Sequence, residues 1–161
     1  MKKIWIIRHA KSLKTAFVSD IERPLIERGV SDANLVSNHI KNNLDAHFTI
    51  ISSSAKRASD TAVIFANNLG YTPEDIVYMD ALYTFDDRKL EQVIRNLDDT
   101  LNHVLVIGHN PALTDFVNNI SNGFFDNIPT SGMVEIIFEQ TEWLKIASGK
   151  VNYNLFPKKI R

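Results

Sequence analysis

Two short apolar runs constrain this chain more than anything else in it. Ile4-Trp5-Ile6-Ile7 and Val104-Leu105-Val106-Ile107 are continuous rather than alternating, and too brief for a buried helix. A strand that is apolar on both faces needs cover on both faces, the situation of a central strand in a largely parallel sheet. The segments between the runs supply that cover. Val30, Ala33, Val36 and Ile40 recur at helical spacing and predict an amphipathic helix over residues 30–41, closed by Asn42-Asn43. Lys56 to Leu69 predicts a second helix that buries Ala58, Ala62, Phe65 and Leu69, with Gly70 as its stop. Further helices are expected over Asp87–Leu97 and after Pro111, where Leu113, Phe116, Val117 and Ile120 form the apolar side.

The remaining extended segments complete the pattern. Phe48 to Ile51 predicts a buried strand, followed by Ser52-Ser53-Ser54 as a turn and helix cap. Ile76–Met79 predicts a short strand. Met133–Phe138 and Trp143–Ala147 predict two strands joined by a polar hairpin around Gln140-Thr141, with a further extended piece near Tyr153–Phe156. Strand and helix alternate, then a hairpin ends the chain. That order predicts an α/β fold, a three-layer α/β/α sandwich whose central sheet is mostly parallel with an antiparallel edge. A length of 161 residues suits a single domain over 1–161 with a full core.

Composition removes several classes of function. With no Cys there is no disulfide scaffold, thiolate nucleophile or Cys-ligated metal. A net charge of -1 argues against a general nucleic-acid binder. No segment has the length of a membrane span or the flanks of a signal peptide, so a cytoplasmic monomer without a membrane partner is expected. There is no Gly-rich phosphate or dinucleotide loop. His39 and His47 have no partner at metal-ligand spacing, and His103 starts a strand at the end opposite the candidate site. Asn119-Ile120-Ser121 is a formal glycosylation triplet that means little without a secretory signal.

The chemistry gathers at strand ends. Ile7-Arg8-His9 and Ile107-Gly108-His109 each put a histidine directly after a buried run, and Arg57 falls in the first turn of the helix after Ile51. In an open α/β sheet, ligands bind outside the carboxyl ends of the strands. If these strands are parallel, Arg8, His9, Arg57 and His109 converge at one edge, beside helix N–H groups. Two guanidiniums and two imidazoles there make a site for a compact dianion, and a phosphoryl group is the natural candidate.

Four blocks in order then resemble a known family: Arg8-His9-Ala10-Lys11-Ser12, Arg23-Pro24-Leu25 with Gly29, Ser53-Ser54-Ala55-Lys56-Arg57-Ala58 with Thr61-Ala62, and Gly108-His109-Asn110-Pro111. Together they resemble the histidine phosphatase superfamily, with its phosphoglycerate-mutase-like fold, and within it the small SixA-type phosphohistidine phosphatases. The resemblance implies that His9 is the nucleophile and forms a covalent phosphohistidine that water hydrolyses. It implies that Arg8 and Arg57 clamp the phosphoryl oxygens and that His109 contacts the same oxygens. Ser12 falls where the family usually has a phosphate-contacting Thr, and Arg23 is an added anion contact. No metal or cofactor is implied, since the guanidiniums and His109 supply the positive charge. His9 must be neutral, with one ring N–H held by a backbone carbonyl or similar acceptor.

One departure from the family pattern narrows the expectation. Mutase-like members place a Glu general acid where Asp80-Ala81-Leu82-Tyr83-Thr84 here puts Thr84. Asp80, Asp86 and Asp87 are the nearby carboxylates that would have to reach in as general acid. Without a strong acid, alkyl phosphates are poor substrates, because an alkoxide leaves only with a proton. Phosphohistidine differs, since its leaving imidazole holds a proton on the second nitrogen near a pKa of about 6.5. The expected partner is therefore a protein carrying phosphohistidine, or a small phosphorylated compound, meeting an open site without a lid. Lys11, Lys14, Lys56 and Arg23 are placed to steer an acidic phosphoprotein. The alternatives are a broad small-molecule phosphomonoesterase and a non-catalytic phosphate-binding module; retention of His9 argues against the latter.

Overall fold

Register in the middle of the sheet decides where everything else lies. The computed structural model describes residues 1–161, in which β1 (Lys2–Arg8) pairs in parallel with β4 (His103–Gly108) and antiparallel with β5 (Met133–Phe138). Outward from β4 come β2 (Thr49–Ser53) and β3 (Val77–Met79), both parallel. β6 (Lys150–Leu155) lies antiparallel on β5 at the other edge, so the six-strand order is β3-β2-β4-β1-β5-β6. This is the expected mostly parallel sheet with an antiparallel edge.

Alternate residues of the central strands face opposite layers. Trp5, Ile7, Leu105 and Ile107 pack with Ala33 and Val36 of α1 (Glu27–Ile40) and with Ala58 and Phe65 of α2 (Lys56–Leu69). Ile4, Ile6, Val104 and Val106 pack with Leu90 and Ile94 of α3 (Asp87–Arg95) and Leu113 and Phe116 of α4 (Ala112–Ile120). Both faces of β1 and β4 are thus dry, which is why their sequences are unbroken apolar runs. Helices on both faces of one sheet give the three-layer α/β/α sandwich. No helix is long and apolar enough to cross a membrane.

Several local expectations are corrected. Trp143–Ala147 is not a strand: Trp143–Lys145 form a 3-10 turn, and the antiparallel edge strand is Lys150–Leu155. The turn is favoured because it buries Trp143 and Ile146 while the indole Nε1 donates to the Leu101 carbonyl at 2.8 Å. α1 starts at Glu27 rather than at residue 30, and Val30 is exposed; the inward face runs through Gly29, Ala33, Val36 and Ile40. Ser52 and Ser53 extend β2 instead of forming a turn, and the N-cap of α2 is Ala55, without a side-chain cap. α3 ends at Arg95, short of Leu97, and Pro111 sits at the N-cap of α4, one position before its first turn.

Candidate active site

The pairing of β1 with β4 builds the site. Arg8 lies opposite Gly108, so the next residues, His9 and His109, leave the sheet side by side with ring centroids 5.2 Å apart. β2 ends alongside, and Arg57 enters from the first turn of α2 with its Nε donating to His9 Nε2 at 3.3 Å. Both histidines and Arg57 are buried. Arg8 points its Nη1 at the Ile128 carbonyl, 3.0 Å away, on the other side. The expected convergence of Arg8, His9, Arg57 and His109 is observed as geometry.

Hydrogen bonding assigns the imidazole tautomers. His9 Nδ1 lies 2.7 Å from the Ala10 carbonyl, an acceptor only, so Nδ1 carries the proton and the Nε2 lone pair faces Arg57. Burial is the largest influence on His9 and lowers its pKa to about 4; the Ala10 bond opposes this, and the charges of Arg57, Arg8 and Arg23 reinforce it. The ring is therefore neutral near pH 7. His109 Nε2 lies 2.8 Å from Ser53 Oγ, which also accepts from the Ala55 N–H. The hydroxyl proton finds its partner when Ser53 donates to Nε2, which leaves the proton of His109 on Nδ1. Burial, then His9 and Arg57, push His109 down to about 3. His109 accordingly offers a neutral N–H donor. Low dielectric and the nearby Arg57 charge disfavour the imidazolium.

Three buried polar atoms lack any partner: Arg8 Nε, His109 Nδ1 and Ser131 Oγ. Unpaired buried donors cost stability and are uncommon. All three belong to this one neighbourhood, for the Ser131 N–H bonds the carbonyls of Arg8 and His9. An oxyanion is the acceptor that would satisfy such donors.

The cavity in front of these residues has a volume of about 550 Å³ and also includes Lys11, Ser12, Lys14, Asp20, Arg23, Arg28, Asp32, Phe85 and Arg161. Ser12 and Arg23 are joined, with Arg23 Nη1 donating to Ser12 Oγ at 2.8 Å. Lys56 lies outside, paired with Asp60 at 3.4 Å. None of the three proposed acids lines the cavity. Asp80 accepts from Ser54 Oγ at 2.6 Å, Asp86 caps α3 through the Arg88 N–H, and Asp87 accepts from Asn119. Each is drawn away by a local donor. Thr84 Oγ1 likewise accepts from the Asp86 N–H, and Phe85 rather than Thr84 faces His109.

Two carboxylates line the cavity, and the one beside Arg57 is Asp20. Its Oδ2 accepts from Arg57 Nη2 at 3.0 Å and from the Tyr83 hydroxyl at 2.5 Å, and its Oδ1 from Arg23 Nε at 3.1 Å. Its backbone carbonyl accepts from Arg57 Nη1 at 2.6 Å. The Tyr83 bond leads in lowering its pKa to about 2, with Arg57 and Arg23 adding to it. Asp32, buried beneath the far end of the cavity, is gripped by Arg161 through two bonds of 3.0 and 2.9 Å.

An Arg-His pair stands at one strand end, a second histidine at its neighbour's, and a buried arginine between them. Residues 4–86, just over half of the chain, match the histidine phosphatase superfamily (branch 1), and the chain belongs to that family. An uncharacterized protein of Mycobacterium tuberculosis is 28% identical over 155 residues, covering 89% of this chain and 93% of that one. Among solved structures, the protein histidine phosphatase SixA complexed with tungstate superposes with a TM-score of 0.83 at 22% identity, over 99% of each chain. A mycobacterial glucosyl-3-phosphoglycerate phosphatase superposes with a TM-score of 0.69 at 10% identity, over 94% of this chain and 97% of that one. At such identities these two likenesses show a shared fold.

Proposed function

We propose that this phosphatase acts on phosphohistidine in a protein, through a phosphorylated His9. The observation that carries the reading is the state of the carboxylates. Asp20 is held far below the usual carboxylate range by Tyr83, Arg57 and Arg23, and Asp32 is locked to Arg161. Asp80, Asp86 and Asp87 are bonded elsewhere. No carboxylic acid is therefore at hand to protonate a leaving alkoxide, so the leaving group must bring its own proton.

In the first step the Nε2 lone pair of His9 attacks phosphorus while the substrate's P–N bond breaks. The bonding pair goes to the leaving nitrogen, and a proton already on the other ring nitrogen lets the product depart as neutral imidazole. Arg8 and Arg57 take the phosphoryl oxygens, with the Nδ1–H of His109 as a further donor. Ser12, joined to Arg23, lies at the rim for an added oxygen contact. In the second step water attacks phosphorus and the pair returns to His9 Nε2, its departure eased because Nδ1 keeps the proton shared with the Ala10 carbonyl. Water's proton passes to the phosphate product or to solvent.

The test is to incubate purified protein, without added metal, with a phosphohistidine peptide and with p-nitrophenyl phosphate and a simple alkyl phosphate. Acid-labile phosphate on the wild type and none on His9→Ala is the expected result, with turnover favouring the P–N substrate. Faster hydrolysis of the alkyl phosphate than of the peptide would overturn the substrate assignment and favour a broad phosphomonoesterase. Oxyanion binding without turnover of any substrate would overturn catalysis itself.

A further inference from the structure

The phosphoryl group has use for only part of the cavity. A volume of about 550 Å³ lies in the range of sites that hold whole small molecules, and its lining carries seven cationic side chains against two carboxylates. Arg8 and Arg57 belong to the phosphoryl end, and Arg23 is engaged by Asp20. The far end is differently built. Asp32 is a single, buried carboxylate facing two guanidiniums: Arg161 takes both of its oxygens, and Arg28 is left at 3.8 Å from Oδ2. One positive charge is in excess there. Lys11 adds another, with no hydrogen-bond or ion-pair partner of its own side chain within the chain.

This far end is held in place from both sides. The Ile26 N–H donates to the Lys11 carbonyl at 3.1 Å, and the Leu13 N–H to that of Pro24 at 2.9 Å, so the loop carrying Lys11 lies against the start of α1. The approach is possible because residue 29 is Gly: a Cβ there would stand 2.1 Å from the Lys11 carbonyl oxygen. Lys11 and Arg28 are thus brought to one wall by backbone contacts, not by side-chain pairing.

We infer that Lys11 and Arg28 form a second anion subsite, which takes a carboxylate or phosphate carried by the same molecule as the transferred phosphoryl group. It rests on the reading of Arg8, Arg57 and His109 as the phosphoryl end. The two sources of such an anion are an acidic residue flanking phosphohistidine in a protein and the acid group of a small phosphorylated compound. Charge-assisted contacts with two partly exposed cations set an expected gain of about three- to tenfold in affinity over a single-anion ligand, sensitive to salt.

Calorimetry with inert ligands separates this from catalysis. Methylphosphonate carries one anionic group; ω-phosphonocarboxylates of increasing chain length carry two. The expected result is that one chain length binds about three- to tenfold tighter than methylphosphonate and that the gap closes in the Lys11→Gln, Arg28→Gln double variant. Equal binding of all ligands by the wild type, or a gap that survives in the double variant, overturns the subsite. Methylphosphonate that fails to compete with phosphate for the wild type would instead strike at the phosphoryl end, and at the subsite with it. Phosphohistidine peptides with Glu or Gln beside the modified residue then name the source. A lower KM for the Glu peptide places the anion on a protein, and equal KM values with the phosphonate gap retained place it on a small molecule.

Discussion

Arg57 directs its Nη2 at the Asp20 carboxylate, 3.0 Å away, and its Nη1 at the carbonyl of the same residue, 2.6 Å away. The buried guanidinium proposed to take an oxyanion is thus engaged by an anion of the chain itself. Asp20→Asn should therefore bind phosphate and tungstate more tightly, by on the order of tenfold, because a dianion no longer competes with a carboxylate for the same fork. Weaker binding by the variant would mean that Asp20 chiefly holds Arg57 in position. With Asp20 at about 2, the wild-type competition should be constant from neutral pH down to about pH 3 as far as this group is concerned.

His9 and His109 should make acid destabilising. Their folded pKa values are about 4 and about 3, whereas an unfolded histidine titrates near 6.5. Above that value both states are neutral and the groups contribute no pH dependence. As pH falls from 6.5 toward 4, the unfolded chain binds protons that the folded site refuses, so stability is lost over that window. For His9 alone the full effect is about 3 kcal/mol as an order of magnitude. NMR should find the His9 ring titrating near pH 4, and melting curves should fall more gently with acid in His9→Gln. Bound phosphate should raise the His9 midpoint, since its charge opposes that of the arginines. A midpoint near 6.5 in the free protein would contradict the burial assigned to this ring.

Ser53 holds the second histidine. It is fully buried, with its Oγ 2.8 Å from His109 Nε2 and accepting from the Ala55 N–H. Ser53→Ala removes the group that places the His109 proton on Nδ1. Turnover should fall by about ten- to a hundredfold, as for the loss of an orienting hydrogen bond behind a catalytic ligand. Stability should fall by about 1–2 kcal/mol for the unpaired buried groups. Nitrogen chemical shifts of His109 should report a mixed tautomer in the variant, a change that a purely structural loss would not produce.

What the sequence made legible follows from how local each signal is. β1, β4 and α2 were readable because burial on both faces, or on one helical stripe, writes itself into consecutive residues such as Ile4–Ile7 and Ala58–Phe65. The convergence of Arg8, His9, Arg57 and His109 was readable because the strands are parallel: Arg8, His9 and His109 fall at strand carboxyl ends and Arg57 in the first turn of the helix after β2. The edge was legible only in part: the extended piece near Tyr153–Phe156 overlaps the end of Lys150–Leu155, while the apolar Trp143 and Ile146 serve a turn whose partner, Leu101, lies 42 residues from Trp143. The roles of Asp20 and Ser53 carry no local signal for a related reason. Their partners, Arg57 and His109, are 37 and 56 residues away, and only the folded backbone brings them together. The Arg28–Asp32 pair carried an i,i+4 signal, but nothing local tied it to Arg161 or to the cavity.

Gly29 gives a test of the loop that frames the cavity. An added Cβ would lie 2.1 Å from the Lys11 carbonyl oxygen and 2.9 Å from its N and C, all backbone atoms that cannot swing aside. In Gly29→Ala the Lys11 segment must therefore move off α1, weakening the bonds from Ile26 to Lys11 and from Leu13 to Pro24. Ala is the better helix former by about 1 kcal/mol, so propensity alone predicts a more stable protein. The clash should win, with a net loss of about 2–3 kcal/mol and a Tm lower by roughly 5–10 °C. Because Ser12 sits on the displaced segment and accepts from Arg23, phosphate binding should weaken as well. Gly70→Ala is the matched control. Nothing lies within 4 Å of a Cβ there, and the cost is confined to the left-handed backbone at φ 88°, about 1 kcal/mol, without an effect on phosphate affinity. If Gly29→Ala proved as mild as Gly70→Ala and left phosphate affinity unchanged, the loop would not depend on that close approach.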